Sequence, residues 1–485
     1  MKKTVLAFDL GASSGRAIVG EYNKGQLHLE EIYRFPHEPM ILDGKMHWHI
    51  DFLFTAIKTA ISKATDEYHI DSLAIDTWGV DYGLLDGSGR LIEPPVHYRD
   101  LRTKGMTEEV LKRISPEELY QMTGSQLMEI NTLFQLKAAV LKEPEKVSKA
   151  QTLLLMPDLL NYLLTGEKKT EMSIASTTGL LSPVTKKWNK PLIDKLGLPG
   201  HLFTEIVKEG EPLGVVKSDL NLPSIPVYHV CSHDTASAFV SATGNQDSLF
   251  VSSGTWSLIG VECQEPVVNE KAHHYNLTNE SGVRGTTRLL KNMTGLWIIQ
   301  ELKRQFAKQG KSYTYSDMEN LAREANAFQY FIDTEDARFL EAHQMISRIH
   351  SFLKETKQPI PQTDGELIRC VYESLAFKYK VTFLEIMATI GKKFTSVNMV
   401  GGGTQSKVLC EMVANASGLH VCAGPVEATA LGNISVQLIQ HGCFEGLESA
   451  RAWIKEWSGI KTYQPKLCKE WERQFERYKQ LIQRG

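Results

Sequence analysis

The feature that most constrains the fold is a glycine- and serine-rich turn between two β-rich segments, which occurs twice in the chain. The first is Phe8–Arg16 (FDLGASSGR), and the second, half a chain length later, is Val251–Ser257 (VSSGTWS). Each predicts a tight hairpin whose backbone N–H groups can cradle phosphate oxygens, although either turn taken singly is also compatible with a plain β-turn. The repetition favours a duplicated architecture, with one such hairpin opening each half and phosphate bound between the halves.

The length of the chain supports two domains. It has 485 residues, whereas single hydrophobic cores stop growing at roughly 250 to 300 residues. A polar turn at 241–247 separates the halves, and a β-rich pattern restarts after it. We therefore expect domains at 1–244 and 245–485, of the α/β class because strand and helix patterns alternate along both.

Composition excludes several classes of function. The 54 Lys and Arg residues are scattered and are outnumbered by 57 Asp and Glu residues, so the sequence offers no basic footprint for nucleic acid. No apolar run approaches the roughly 18 residues of a membrane span, and the first residues do not resemble a secretion signal. The seven cysteines lack a C-x-x-C pair, which favours reduced thiols over zinc or a disulfide framework. The expected location is the cytoplasm, with no membrane partner.

A glycine run at Gly401–Gly403 lies between a predicted strand, 396–400, and a predicted helix, 405–416. Glycines there let a ligand approach the backbone while the helix N-terminus supplies partial positive charge, which suits a nucleotide. The run also nearly fits the dinucleotide fingerprint, with Ser406 in the third glycine place, but it lies too deep in the chain for that motif. Gly11–Gly15 formally fits the nucleophile elbow of serine hydrolases, yet a strand rather than a helix follows it.

A carboxylate, Asp234, stands where a predicted strand at 225–230 gives way to a helix. In α/β sheets the ligand crevice lies at that edge, so Asp234 is a candidate for catalysis. The plain alternative is an N-cap. A metal site formed with Cys231 and His233 is a weaker alternative, because no further ligands cluster nearby.

In the second half the periodicity predicts helices at 291–308, 315–326 and 364–390. It predicts strands at the start of the chain over 4–8, 17–22 and 26–33, followed by a helix from Asp51 and a strand at 72–76.

Taken together, these features resemble the FGGY family of carbohydrate kinases over nearly the whole chain. The strings that carry the resemblance are DLGASSGR at 9–16, IDTWGVD at 75–81, SHDTAS at 232–237, SSGTWS at 252–257, LKNMTGLW at 290–297 and GPVEATALGN at 424–433. A small departure is Ser281, in Asn279–Gly282, where a glycine is expected. The resemblance implies a two-domain actin/hexokinase/Hsp70-like fold, built from duplicated ribonuclease H-like units around a central cleft, with a hinge near residue 245.

The resemblance also implies roles for individual residues. Asp234 would be the general base and Asp9 would face Mg²⁺ through water. The nucleotide would be held by Ala12, Ser13, Ser14, Gly15, Arg16, Thr255, Gln300 and Gly402, and the sugar by Gly79, His233, Asp234, Thr235 and Asn292.

The implied activity is ATP- and Mg²⁺-dependent phosphorylation of a small sugar, and the narrower strings favour L-rhamnulose. Alternatives are another ketose or polyol, such as L-fuculose, D-xylulose or glycerol, since few side chains set the specificity of a hydroxyl-binding pocket. A third alternative is a nucleotide-dependent ATPase of the same fold that transfers no phosphate to sugar.

Overall fold

The computed structural model describes residues 2–244 and 247–483 and divides the chain into two compact units. The first unit contains the chain up to Ser241 together with Glu262–Leu289 and Ala428–Trp453. The second contains Ala242–Val261, Leu290–Glu427 and the chain from Ile454 on. The chain therefore crosses between the units several times. The predicted hinge and boundary fall on Asn245 and Gln246, which lie outside the described residues, so the division at 244/245 stays a prediction.

The described part of the chain alternates strands and helices. The strands are β1 Lys2–Leu10, β2 Ser14–Asn23, β3 Gln26–Pro36, β4 Met40–Leu42, β5 Lys45–His47, β6 Ser72–Thr77, β7 Tyr82–Leu85, β8 Thr152–Leu155, β9 Thr170–Glu171, β10 Ile206–Val207, β11 Pro212–Val215, β12 Pro226–Tyr228, β13 Ser248–Ser253, β14 Trp256–Cys263, β15 Thr278–Ser281, β16 Thr287–Thr294, β17 Ser396–Val400, β18 His420–Ala423 and β19 Lys461–Tyr463. The helices are α1 Ile50–Glu67, α2 Met106–Leu111, α3 Pro116–Thr123, α4 Thr132–Lys142, α5 Pro144–Lys149, α6 Met156–Thr165, α7 Met172–Ala175, α8 Lys190–Leu196, α9 Asp234–Val240, α10 Glu270–His274, α11 Trp297–Lys308, α12 Tyr315–Glu324, α13 Met345–Glu355, α14 Asp364–Ile390, α15 Lys407–Ser417, α16 Ala428–Gln440, α17 Leu447–Trp457 and α18 Cys468–Ile482. Within 2–244 and 247–483, none of these helices is both long and apolar enough to cross a membrane.

The first sheet has the strand order β11–β12–β6–β1–β2–β3. The β1–β2–β3 strands form an antiparallel meander, and β6 and β12 extend the sheet in parallel with β1. Apolar residues on one stripe of α1, such as Leu53 and Ile57, pack on the sheet together with α6. Leu431 and Ile434 of α16 pack against the side chains of β1 and β2 on the opposite face of the sheet. Helices thus bury both faces of this sheet, as its parallel strands require.

The second sheet has the order β15–β16–β14–β13–β17–β18–β19. Its β13–β14 hairpin, followed by parallel β17 and β18, repeats the scheme of β1–β2 followed by β6 and β12. The duplication predicted from the two hairpins is therefore present in the strand topology.

The longest helix of the second unit, α14, has the bounds that the periodicity predicts. It starts at a capping box formed by Thr363 and Glu366, and it ends at Gly391, whose φ of 73° lies in the left-handed region that glycine tolerates. Its Tyr379 hydroxyl contacts the Ser257 hydroxyl of β14, which ties the helix to the sheet.

The predicted helix at 291–308 is wrong at its start. Residues up to Thr294 continue strand β16, and the helix, α11, begins only at Trp297. The misassigned residues, 291–294, include the buried Met293 and Thr294, and periodicity alone does not resolve whether so short a segment is a strand or the start of a helix. Gly295 lies between the two elements, where a Cβ would lie 2.6 Å from the Gly254 carbonyl oxygen and a larger residue would not fit.

Candidate active site

A row of charged residues crosses three neighbouring strands of the first sheet. Asp9 of β1 is paired in register with Arg16 of β2 and with Asp76 of β6. The Arg16 guanidinium donates to Asp9 Oδ2 at 2.5 Å. Both side chains are largely buried yet retain some exposure, 17% for Arg16 and 11% for Asp9, so a ligand can reach them.

The turn that joins β1 to β2 is held by its own backbone. The Gly11 N–H donates to the Ser14 carbonyl at 3.0 Å, and Ala12 and Ser13 lie exposed at its tip. Gly15 must be glycine because a Cβ would lie 2.3 Å from the Phe35 ring. The turn therefore presents backbone N–H groups and a cation, which is chemistry suited to an anion.

Asp76 is fully buried beside Asp9, and sequence reasoning did not single it out. Burial and, next, the charge of Asp9 raise the pKa of Asp76 well above its usual value, against a hydrogen bond from Asn433. Asn433 of α16 donates to Oδ2 at 2.6 Å, while Oδ1 has no hydrogen-bond partner among the described residues.

Asp234 stands at the first position of α9, preceded by His233. Its Oδ1 accepts hydrogen bonds from the Thr235 backbone N–H at 2.5 Å and from the Thr235 hydroxyl at 3.1 Å. Burial raises its pKa, which brings the carboxylate nearer to the range useful for proton transfer at neutral pH. Because 30% of the side chain stays exposed, a substrate hydroxyl can reach it.

The segment that leads into α9 is anchored by Glu171, a buried carboxylate at the end of β9. Glu171 accepts hydrogen bonds from the backbone and hydroxyl of Ser173 and from the backbone and hydroxyl of Ser232. The Ser173 hydroxyl also accepts from the His233 N–H at 3.1 Å. These bonds fix the backbone immediately before Asp234.

The loop after β6 carries Gly79. Thr77 donates its N–H to the Ser232 carbonyl at 2.9 Å, so this loop runs beside the segment that leads to Asp234. A Cβ on Gly79 would lie 3.0 Å from the Thr177 side chain, and Val80 adopts a φ of 67°, which is strained for a β-branched residue. A strained backbone of this kind persists only where the surrounding structure enforces it, and binding sites often contain such residues.

Asp81 anchors the end of that loop through hydrogen bonds to the surrounding side chains. Its buried carboxylate accepts from the indole N–H groups of Trp48 at 2.5 Å and Trp78 at 3.1 Å, and from Gln135 at 2.8 Å. Burial raises its pKa to about 6. All of these neighbours are donors, so they match the ionised form at neutral pH.

The second unit contains the other nucleotide candidates. The Thr255 hydroxyl, in the β13–β14 turn, donates to Gln300 Oε1 of α11 at 3.2 Å. Gly402 lies open in the turn after β17, and the neighbouring Gly401 and Gly403 pack so closely on Ser253 that a Cβ on either would meet it within 2.9 Å. The structure thus brings together Thr255, Gln300 and the glycine turn. Asn292 lies in β16 of the same unit.

The residues around Asp9 have the chemistry that a magnesium ion would need. Mg²⁺ usually takes one or two carboxylates and keeps several waters, and Asp9, with the partnerless Oδ1 of Asp76 in the same row, offers that donor set. No group of three or more His, Cys, Asp or Glu side chains suited to a metal occurs among the residues that the structure describes. The Cys231–His233–Asp234 alternative has no support there.

Sequence reasoning missed four buried charged residues of this site, Asp76, Glu171, Glu280 and Arg288. Asp76 lies inside the string at 75–81 that carried the resemblance, and Glu280 lies in the segment 279–282, which departs from the family pattern at Ser281. In both, a charge in an otherwise buried strand was the available signal. Arg288 carries the same signal in β16.

Comparison with known proteins places the chain among carbohydrate kinases. Family models described as "FGGY family of carbohydrate kinases", N-terminal and C-terminal domains, match residues 4–241 and 249–441. The chain is 39% identical to the rhamnulokinase of Oceanobacillus iheyensis over 96% of this chain and 98% of that protein. It is 40% identical to the rhamnulokinase of Halalkalibacterium halodurans over 94% of this chain and 98% of that protein.

Solved structures agree on the fold. A gluconate kinase from Lactobacillus acidophilus superimposes with a TM-score of 0.82 at 16% identity, over 99% of this chain and 98% of that one. A xylulose kinase from the same organism gives a TM-score of 0.81 at 16% identity, over 99% and 97% of the two chains. The predicted two-domain α/β fold is thereby confirmed.

Proposed function

The chain belongs to the FGGY family of carbohydrate kinases, and on that premise we propose that it transfers the γ-phosphate of ATP to L-rhamnulose, giving L-rhamnulose 1-phosphate. The choice of sugar is supported by curated rhamnulokinases that are 36–40% identical over at least 94% of this chain. The single observation that carries the chemistry is the reachable carboxylate of Asp234 at the start of α9. The predicted cytoplasmic location stays a prediction.

In this proposal Asp234 is the general base. A sugar hydroxyl has a pKa far above 7, so a carboxylate within hydrogen-bond reach must take its proton as the oxygen attacks phosphorus. The two Thr235 hydrogen bonds to Oδ1 orient the carboxylate and leave its other oxygen for the substrate. Gly79, His233, Thr235 and Asn292 are the proposed contacts of the sugar.

The nucleotide roles that we propose follow the local chemistry of each unit. In the first, the Ala12–Arg16 turn offers backbone N–H groups and a guanidinium to phosphate oxygens. In the second, Thr255, Gln300 and Gly402 hold the rest of the nucleotide. Mg²⁺, when bound near Asp9 through water, supplies positive charge that offsets the charge of the transferred phosphoryl group.

The acceptor sugar is tested with a panel. We expect ADP release, coupled to appearance of a sugar phosphate, to be fastest with L-rhamnulose among L-rhamnulose, L-fuculose, D-xylulose, L-ribulose and glycerol, in the presence of ATP and Mg²⁺. Preference for another sugar would contradict the proposed specificity and keep the kinase. ATP hydrolysis without any sugar phosphate would favour the ATPase alternative.

Replacing Gln300 by Ala tests the nucleotide site. The change removes the acceptor of the Thr255 hydroxyl, so we expect KM for ATP to rise by roughly tenfold while KM for the sugar stays within about twofold. Gln309→Ala, an exposed position after the end of the same helix, is the matched control and should leave both values unchanged. An unchanged KM for ATP in the Gln300 variant would remove it from the site.

A further inference from the structure

The imidazole of His233 is held between two sets of charges. Its Nδ1 lies 3.2 Å from Glu280 Oε2 and 3.3 Å from Arg288 Nη2, and Arg288 Nη2 donates to the same Glu280 oxygen at 3.0 Å. On the opposite side of the ring, Nε2 lies 3.4 Å from Asp234 Oδ1. All four residues belong to the first unit.

From this arrangement we propose that Glu280 and Arg288 are positioning residues, which hold the His233 ring so that an Nε2–H faces the carboxylate of Asp234. The inference rests on the proposed function, because it takes Asp234 as the base. Neither Glu280 nor Arg288 is among the residues to which the family resemblance gives a role.

The protonation of the ring follows from the partners of Nδ1. A guanidinium can only donate, so toward Arg288 the Nδ1 atom is an acceptor, and the proton of a neutral ring then sits on Nε2. If Nδ1 instead donated to Glu280, the bare Nε2 of a neutral ring would present a lone pair to the Asp234 carboxylate, which is repulsive. The arrangement that an ionised Asp234 favours therefore carries the proton on Nε2.

The ion pair is rigidly placed. The Arg288 side chain has no exposure and that of Glu280 only 6%. Arg288 also donates from Nε to the Ser281 carbonyl at 3.2 Å and stacks its guanidinium 5.5 Å from the Phe239 ring centre of α9. A buried pair contributes little net stability compared with well-packed apolar residues, so its direct consequence here is the orientation of His233.

The proposed contact favours the ionised form of Asp234. The charged and titratable groups that face this carboxylate are His233 beside it, Asp9 of β1 and Asp76 of β6, and the two acidic ones disfavour its charge. An N–H donor on His233 opposes them. Losing that donor would raise the pKa of Asp234 and move the acid limb of the kcat profile to higher pH.

The ring is tested directly by ¹⁵N NMR of the full-length protein labelled in histidine, with the His233 signals identified by their loss in His233→Gln. We expect Nε2 to carry a proton at neutral pH. A bare Nε2 on His233 would overturn the proposal. This readout does not depend on activity, so it tests the predicted protonation of the ring even if the sugar panel contradicts the proposed function.

Kinetics of the double variant Glu280→Gln/Arg288→Met give a second test. Both charges are removed together, so no uncompensated charge stays buried. We expect kcat to fall by roughly tenfold and the acid limb of its pH profile to move to higher pH by about one pH unit. KM for ATP should stay unchanged. Lys3→Met/Asp71→Asn, which removes an ion pair of 2.7 Å at the other end of β1, should change none of these.

A folded double variant with the kcat and acid limb of the unmutated protein would show that the pair is structural only and would overturn the proposal. If the variant does not fold, the histidine spectrum of the unmutated protein is the remaining test, and a bare Nε2 in that spectrum overturns the proposal.

Discussion

Replacing Asp234 by Asn should lower kcat by a factor of order 10² or more while the protein stays folded and binds ATP. An amide has the shape of the carboxylate and can still accept the Thr235 hydrogen bonds at its oxygen. It cannot accept the proton of the sugar hydroxyl, so the loss should appear in turnover rather than in binding. Initial rates of ADP release at saturating sugar and ATP give kcat, and nucleotide binding is measured separately by calorimetry.

The matched control for this variant is Asp219→Asn, which makes the same change at an exposed position of the same unit. It should leave kcat within about twofold of the unmutated protein. Turnover of the Asp234 variant near that of the control would remove Asp234 from the role of base. A large loss of ATP affinity or a clearly lower melting temperature, accompanying the fall in kcat, would show instead that the side chain is needed for the structure.

The parts of this molecule that local sequence determines could be predicted. The β1–β2 and β13–β14 hairpins follow from glycine-rich turns between β-rich segments, and α14 follows from a capping box at one end and a glycine at the other. The position of Asp234 at the start of α9 follows from a strand pattern that ends in a polar cluster. Each of these signals lies within a few residues of the element that it predicts.

The parts of the molecule that depend on pairing between distant segments could not be predicted from the sequence. Asp76 becomes a neighbour of Asp9 only through the parallel register of β6 on β1, and Glu280 and Arg288 reach His233 only through strands that lie far along the chain. Periodicity does not give register between strands. The same limit explains β16, where a short segment fits a strand or a helix until its neighbours are known.

Replacing Gly432 by Ala should destabilise the protein strongly, although alanine favours helices. Gly432 lies in α16 where that helix crosses α9, and a Cβ would lie 1.8 Å from the Ser237 carbonyl oxygen and 2.6 Å from its carbon. Both atoms are backbone, so the helices must move apart. Overpacking of this kind costs about 3 kcal/mol or more, against about 1 kcal/mol gained in helix propensity. We expect a net loss of about 2 kcal/mol or more, seen as a melting temperature lower by several degrees.

The same substitution should also lower turnover, because both helices carry residues of the candidate site. Asp234 begins α9, and Asn433, the residue after Gly432, donates to Asp76. A shift between α9 and α16 therefore displaces the proposed base and the partner of Asp76 together. Gly87→Ala is the control, since the nearest atom to a Cβ there, Gln151 Cγ, is 3.8 Å away. A Gly432 variant that melts at or above the temperature of the control would mean that α9 and α16 can separate without cost, and the close helix packing would then not be what places Asp234.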